Sequence, residues 1–363
     1  MTGKPNAPFL PGLELLRGLA ALAVCVGHVR AYLLPPFRAG GYATWEQPLY
    51  FLTAHGDAAV WVFFVLSGYL VGGSVLRAHA AGTWAWPDYL WRRGVRLWMV
   101  LLPALAVTYL CDTWRGDSPV ATAGAMAARA DFPHDGLTLL GNICFLQDLV
   151  VAPYGSNTAL WSLAYEFWFY LLFPLLLGAA GGGGSGRRCA SALLAAGILW
   201  LLGPRGWWLA MPWATGAALA WLVQHRPAQG MAWPRAWPWV GLGAALTALP
   251  FLPSAAKPLA MPVVTIAMAV LVWSEGSRTV VAEPRFGLGA ISYTLYAMHM
   301  PLAVVVTSAV AGPWSLVAGP LRWISILLVT GALLVLTVGL WWLFERRTDE
   351  VRAAMRKWLR ACP

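Results

Sequence analysis

The sequence predicts an all-α polytopic membrane protein, a bundle of about ten transmembrane helices around a central pore, and three observations carry that expectation. Hydrophobic residues make up 59% of the 363 and charged residues 11%, with a mean hydropathy of +0.63, which leaves too little polar surface for a soluble protein of this size. The apolar residues gather into runs that approach the length of a bilayer crossing. Of the 23 Trp, many (Trp61, Trp98, Trp161, Trp207, Trp208, Trp239, Trp341, Trp342) stand near the ends of those runs, where an indole sits well at headgroup level.

In chain order the runs cover 13–34, 58–76, 97–111, 160–178, 190–203, 207–223, 237–252, 259–273, 288–311 and 321–344. Several fall short of the usual ~20 residues, so their ends are set only to within a turn. Leu139 to Val151 is apolar but short, and suits a re-entrant segment between the third and fourth runs. The tract from Gly181 to Gly186 reads as a flexible linker, because no strand precedes it and no Lys-Ser/Thr follows it. The chain is expected to form a single membrane domain over residues 1–363, with no appended extracytoplasmic domain.

The net charge of +10 is a topology signal, since no basic stripe alternates with aromatics as a nucleic-acid surface would require. With a cytoplasmic N-terminus, seventeen basic residues fall on inner segments and seven on outer ones (Arg30, Arg38, Arg115, Arg129, Arg205, Lys257, Arg322). Both termini are therefore expected in the cytoplasm, and the protein in the inner (plasma) membrane as a multi-pass chain. Cys25, Cys111, Cys144, Cys189 and Cys362 are odd in number and never at metal-ligand or redox spacing, so no disulfide framework and no metal site is implied.

Arg17 and His28 lie inside the first run, where a lipid-spanning helix normally carries nothing ionisable. Eleven residues are about three helical turns, so both side chains leave one face, with His28 ~16 Å further along. Ionisable groups at such depth cost at least ~2.5 kcal/mol and usually face a polar path or a site. His28 lies about six residues from the outer end of its span and Glu166 about six from the outer start of the fourth, so both sit ~9 Å below the outer surface. If the helices are neighbours, the carboxylate can orient the imidazole as a general base. The plainer alternative is that Glu166 satisfies a neighbouring hydroxyl or Trp, with Trp161, Ser162, Tyr165 and Tyr170 within reach.

Arg92, Arg93 and Arg96 open the third span as one cationic face, and Arg17 lies at a similar level from the same side. Such arginines commonly set topology or touch headgroups, but guanidinium forks also bind phosphates in bidentate fashion. An anion-binding floor on the cytoplasmic side and a His–carboxylate pair nearer the outside match a long, phosphate-headed thioester such as acyl-CoA.

Five ordered blocks then resemble the integral membrane acyltransferase-3 family. They are Pro11-Gly-Leu-Glu-Leu-Leu-Arg17-Gly-Leu-Ala-Ala-Leu through His28; Gly56-Asp57 with Phe63-Phe64-Val-Leu-Ser67-Gly68-Tyr69-Leu70; Arg93-x-x-Arg96 ahead of Pro103; Trp161-Ser162-Leu163-Ala-Tyr-Glu166-Phe-Trp-Phe169-Tyr170 with Pro174; and Leu288-Gly289-Ala-Ile-Ser292-Tyr293-Thr-Leu-Tyr296 with His299 and Pro301. The sequence departs from the family's pattern at Phe167, Met298 and Arg347. The resemblance implies transfer of an acyl group, most often acetyl, from cytoplasmic acyl-CoA (acetyl-CoA) to a hydroxyl of a glycan, a lipid-linked glycan or a small molecule, as in O-acetylation during polysaccharide modification. His28 would be the base, or an acylated intermediate. Glu166 would hold its ring. Arg17, Arg92, Arg93 and Arg96 would bind the CoA phosphates.

Ser67, Tyr69 and Tyr170 are candidate hydroxyl donors to the oxyanion or acceptor, Asp57 a candidate contact to a sugar hydroxyl, and His299 either lines the acceptor path or is a structural donor. His55, His79, His134 and His225 fall in loops or at interfaces and receive no role. The competing class is a transporter or channel that uses the buried Arg, His and Glu as a proton or anion pathway. Paired halves with matching broken helices would mark it, and the sequence has none. The outer segment from Asp112 to Ala159 carries five acids against two basic residues, which suits hydrogen bonding to a neutral acceptor.

Overall fold

The computed structural model describes residues 11–37, 40–115, 132–225, 236–249, 252, 259–275, 287–314 and 319–361. Asp117 and Asp131 of the acid-rich segment, and Lys4, Arg38, Arg129 and Lys257 of the charge pattern, lie outside them. Among the described residues the fold is helical, and the only β feature is an isolated bridge between Gln147 and Val151.

The elements are α1 (Pro11–Leu33), α2 (Glu46–Leu52), α3 (Gly56–Ser67), α4 (Gly73–Ala80), α5 (Trp86–Arg115), α6 (Gly136–Ile143), α7 (Trp161–Ala180), α8 (Ser185–His225), α9 (Ala236–Ala248), α10 (Ala260–Glu275), α11 (Leu288–Trp314), α12 (Pro320–Leu343) and α13 (Thr348–Ala361). Over their described residues, the expected apolar runs fall almost entirely on helices. Seven helical segments among the described residues are long and apolar enough to cross a membrane: Pro11–Leu33, Glu46–Ala80, Trp86–Arg115, Thr158–Ala180, Ser185–His225, Leu288–Ala309 and Pro320–Lys357. The expected count of about ten includes apolar runs that this criterion merges or leaves out. The runs at 190–203 and 207–223 share α8, broken at Gly203 (φ 59°, ψ −171°), while α9 and α10 have only 13 and 16 residues. Gly203 is the residue that the break requires, because Pro204 disfavours helix before it and positive φ is costly for any side chain with a Cβ.

The chain forms two compact units, each assembled from separated stretches: Met1–Ala20, Asp57–Trp84 and Ser162–Ala290 in the first, and Ala21–Gly56, Ala85–Trp161 and Ile291–Pro363 in the second.

In the first unit, α3 passes into α4 through a π-helical turn at Gly68–Gly72. A Cβ on Gly68 would lie 1.9 Å from the Trp213 carbonyl oxygen, and one on Gly216 would lie 2.0 Å from the Val65 oxygen. The two backbones meet because neither residue has a side chain, as in the close small-residue contacts of membrane helices. Phe64 and Trp213 flank Phe169 of α7, with ring centroids 5.7 and 6.0 Å away, and so complete the packing.

In the second unit, α6 begins at Asp135, whose carboxylate accepts from the Thr138 amide (2.9 Å) and hydroxyl (2.6 Å). These bonds hold the exposed Asp135 carboxyl below its ordinary range, the Thr138 hydroxyl first and the Thr138 amide next. The stretch expected to be re-entrant is this eight-residue helix followed by a tight loop. Asn142 knits the loop, donating to the carbonyls of Thr138 (2.8 Å) and Ala152 (2.9 Å) and accepting from the Tyr154 amide (3.0 Å). Asp112, 5% exposed at the end of α5, accepts from the Ser156 amide (2.8 Å) and His134 Nε2 (2.9 Å). Glu46 pairs with Arg322 of α12 and accepts from Trp323 Nε1 (2.9 Å), which satisfies a carboxylate that is 2% exposed. Cys25, Cys111, Cys144 and Cys189 are free thiols.

Candidate active site

The second unit brings two histidines together. His28 Nδ1 lies 2.9 Å from His299 Nε2, with ring centroids 5.0 Å apart and planes at 27°. His299 is fully buried on α11, and its Nδ1 faces the carbonyl oxygens of Tyr296 (2.8 Å) and Leu295 (3.1 Å). A carbonyl only accepts, so His299 Nδ1 carries the proton and its Nε2 is left as an acceptor. His28 Nδ1 must then donate to it. The remaining lone pair of His28 is on Nε2, the arrangement a general base needs.

The turn of α11 bearing His299 is held from several directions. Asn157 Nδ2 donates to the Ala297 carbonyl (2.8 Å), the Tyr296 hydroxyl donates to the Ala159 carbonyl (3.1 Å), and the Thr294 hydroxyl donates to Glu345 (2.5 Å). Buried polar groups satisfied in this way fix one orientation. Asn157 and Glu345 carried no sequence signal for this role, because the first sits in a loop and the second follows α12, far along the chain from His299.

Arg92, Arg93 and Arg96 are also in the second unit, on the first turns of α5. Arg92 is half-exposed and paired with Asp88 at 2.5 Å, and the other oxygen of Asp88 accepts from Arg356 of α13 at 2.5 Å. The Arg93 guanidinium lies 5.9 Å from the Tyr89 ring centroid, and Arg96 is exposed.

The first unit gathers a second group. Glu166 Oε1 accepts from Ser67 Oγ (2.8 Å) and from the Tyr170 hydroxyl, and Trp213 Nε1 reaches Ser67 Oγ at 3.3 Å. The i, i+4 spacing brings Tyr170 to Glu166 within α7, while the π-helical turn begins directly after Ser67. Three expected residues therefore meet, together with Trp213, which sequence reasoning missed. Its signal was weak: one Trp among 23. The imidazole partner seen for His28 is His299, and the partners seen for Glu166 are hydroxyls of its own unit. Tyr69 is buried within the π-helical turn, and Asp57 is exposed in the first turn of α3.

Arg17, in the first unit, donates from Nη2 to the Gly289 carbonyl (2.6 Å) and pairs with Glu14 at 2.7 Å. Close approach at Gly18 and Gly289 permits this, since a Cβ on Gly18 would lie 2.5 Å from Leu288 Cβ and one on Gly289 would lie 2.6 Å from the Glu14 oxygen.

Comparison with known proteins bears directly on these groups. The profile described as "Acyltransferase domain", of the acyltransferase-3 family, matches residues 10–346. A relative, "Acyltransferase MdmB" of Streptomyces mycarofaciens, is 32% identical over 177 residues, which cover 47% of this chain and 40% of the relative. The match thus spans less than half the length of that relative. No solved structure matches the chain. With the profile covering residues 10–346, which include His28, Ser67, Glu166, Tyr170 and His299, this helical membrane protein belongs to the acyltransferase-3 family.

Proposed function

We propose that the protein is a membrane O-acyltransferase that moves an acyl group, most simply acetyl, from acyl-CoA to a hydroxyl of a carbohydrate or related acceptor, with His28 as general base. The observation that carries this reading is the ordered chain of hydrogen bonds from the Tyr296 carbonyl through His299 to His28, which leaves the lone pair of His28 on Nε2. As the acceptor oxygen attacks the thioester carbonyl, its proton passes to His28 Nε2, and the ring stays fixed by its bond to His299. The tetrahedral intermediate then collapses, the C–S bond breaks, and the CoA thiolate takes that proton from His28. The sum is ester plus free thiol.

Arg93 and Arg96, in the same unit as His28, are assigned to the donor phosphates. Arg92 contributes positive charge beside them while paired with Asp88. Arg17, which also bonds to Gly289 and Glu14, is assigned to the same ligand class because a guanidinium suits phosphate recognition. Within the first unit, Ser67, Tyr170 and Glu166 form a hydroxyl–carboxylate group suited to holding an acceptor hydroxyl, with Tyr69 and Asp57 as further candidate contacts. The inner membrane is the assigned location.

The test is thiol release from acetyl-CoA by the purified full-length protein in detergent, with and without added hydroxyl acceptors. His28→Ala is expected to lower acceptor-dependent release by about two to four orders of magnitude, the scale of general-base catalysis, while folding as the wild type does. Release by the variant at the wild-type rate would remove His28 from the base role, and binding of acetyl-CoA without turnover by the wild type would point to transport.

A further inference from the structure

The second unit holds another polar cluster, which the acyl-transfer reading does not use. Arg30 and Gly27 are one turn apart on α1, and this face meets the segment between α2 and α3: a Cβ on Gly27 would lie 3.3 Å from the Thr53 oxygen and 3.8 Å from Gly56. Arg30 lays its guanidinium on the Tyr50 ring, 4.0 Å from the centroid, and lies within electrostatic reach of His55. Nε and Nη1 of Arg30 and Nδ1 of His55 are sealed from solvent with no hydrogen-bond partner.

The contrast with Arg322 in the same unit is informative. Arg322 also stacks on an aromatic ring, 4.6 Å from the Tyr42 centroid, but its hydrogen bonds go to Glu46 and to the Gly41 carbonyl (3.1 Å). The Tyr42 phenol beside it is pushed up to about 12, chiefly by burial, so it stays neutral and supplies no counter-charge to either arginine. Arg30 therefore stands without a carboxylate among the described residues. A desolvated cationic nitrogen left without an acceptor costs several kcal/mol, and an imidazole nitrogen adds to the debt. All three atoms act as donors, His55 through the tautomer that protonates Nδ1. A metal ion is repelled there, and an apolar ligand leaves the donors unpaired.

We infer that Arg30 and His55, backed by the Tyr50 ring, form a binding site for an oxyanion, a phosphate or carboxylate group. The site is separate from the His28–His299 pair. His28 and Arg30 are two residues apart, so they leave α1 on roughly opposite sides. The oxyanion has two possible sources, the headgroup of an anionic lipid and a free anionic group.

The experiment is calorimetric titration of the full-length protein in a neutral detergent with dihexanoylphosphatidylglycerol, inorganic phosphate and, as an uncharged comparison, dihexanoylglycerol. Saturable binding of phosphatidylglycerol alone assigns a lipid headgroup, and binding of inorganic phosphate as well assigns the bare oxyanion. Either supports the site when dihexanoylglycerol binds far more weakly than the probe that saturates. Arg30→Gln is expected to weaken that probe tenfold or more, since it removes the charge that strengthens the hydrogen bonds to the anion. Arg205→Gln, an arginine of the other unit, is expected to bind as the wild type does. His55→Phe keeps a ring and removes the donor, so it is expected to weaken binding severalfold, and it decides the matter if Arg30→Gln does not fold. Failure of both anionic probes to saturate the wild type, or wild-type affinity in Arg30→Gln or in the deciding His55→Phe, overturns the site. Because the readout is binding rather than turnover, its failure leaves the His28 assignment untouched, and the reverse also holds.

Discussion

At the scale of single residues, the chemistry turns on which atoms hold protons. His299 is a positioning residue, because its own bonds to the Tyr296 and Leu295 carbonyls dictate that His28 donates from Nδ1. His299→Ala removes that acceptor, frees the His28 ring to take either tautomer, and is expected to lower kcat about ten- to hundredfold with the donor KM unchanged. His299→Gln can offer a carbonyl in place of Nε2 and is expected to recover part of the loss, which a purely structural role does not predict. Equal loss in kcat and affinity for both variants would return His299 to a packing role. Arg93→Ala with Arg96→Ala makes the opposite prediction. Phosphate contacts remote from the reacting carbon supply uniform binding, so the double variant is expected to raise the donor KM at least tenfold while kcat at saturation holds. An unchanged KM would leave these residues as topology determinants.

At the scale of elements, the π-helical turn at Gly68–Gly72 begins directly after Ser67, and the segment around it meets α8 backbone to backbone at Gly68 and Gly216. Extra or misfitted volume in such a contact costs about 1–3 kcal/mol, and more where the obstacle is backbone. Gly68→Ala is therefore expected to lower the melting temperature in detergent by several degrees and to reduce activity, since moving the turn separates Ser67 from Glu166. A variant as stable and active as the wild type would show that the contact relaxes freely. The same elements mark what the sequence can reveal. The helices were legible because each apolar run carries its own length and boundary residues, and Ser67, Glu166 and Tyr170 were legible as polar side chains within them. The pairing of His28 with His299 was not legible, because periodicity gives the face of a helix but not the helix that face meets. The break in α8 was legible as a boundary, because it falls at Gly203 and Pro204, where the run at 190–203 ends ahead of the run at 207–223.

At the scale of the whole molecule, the proposed chemistry carries a direction. We propose, from the ten apolar runs of the sequence, that both termini are cytoplasmic: on that reading seventeen basic residues fall on the segments assigned to the inside against seven on the others. On that topology the Gly181–Gly186 linker faces the cytoplasm and the segment from Asp112 to Ala159 faces outward, so Arg93 and Arg96 open toward cytoplasmic acyl-CoA. Two single-cysteine proteins, each with native thiols removed, test it: Gly183→Cys is expected to react with an impermeant thiol reagent only in inside-out vesicles, and Ser118→Cys only in right-side-out ones. Function must follow the same rule. Acyl-CoA added outside inside-out vesicles is expected to support acylation of an acceptor, whereas right-side-out vesicles, which present the other face, are expected to use external donor at no more than the leak rate. Labelling of Ser118→Cys from the cytoplasmic face inverts the topology and, with it, the side from which the donor approaches. Labelling as expected with donor use from both faces keeps the topology and rejects a donor path limited to the cytoplasmic mouth.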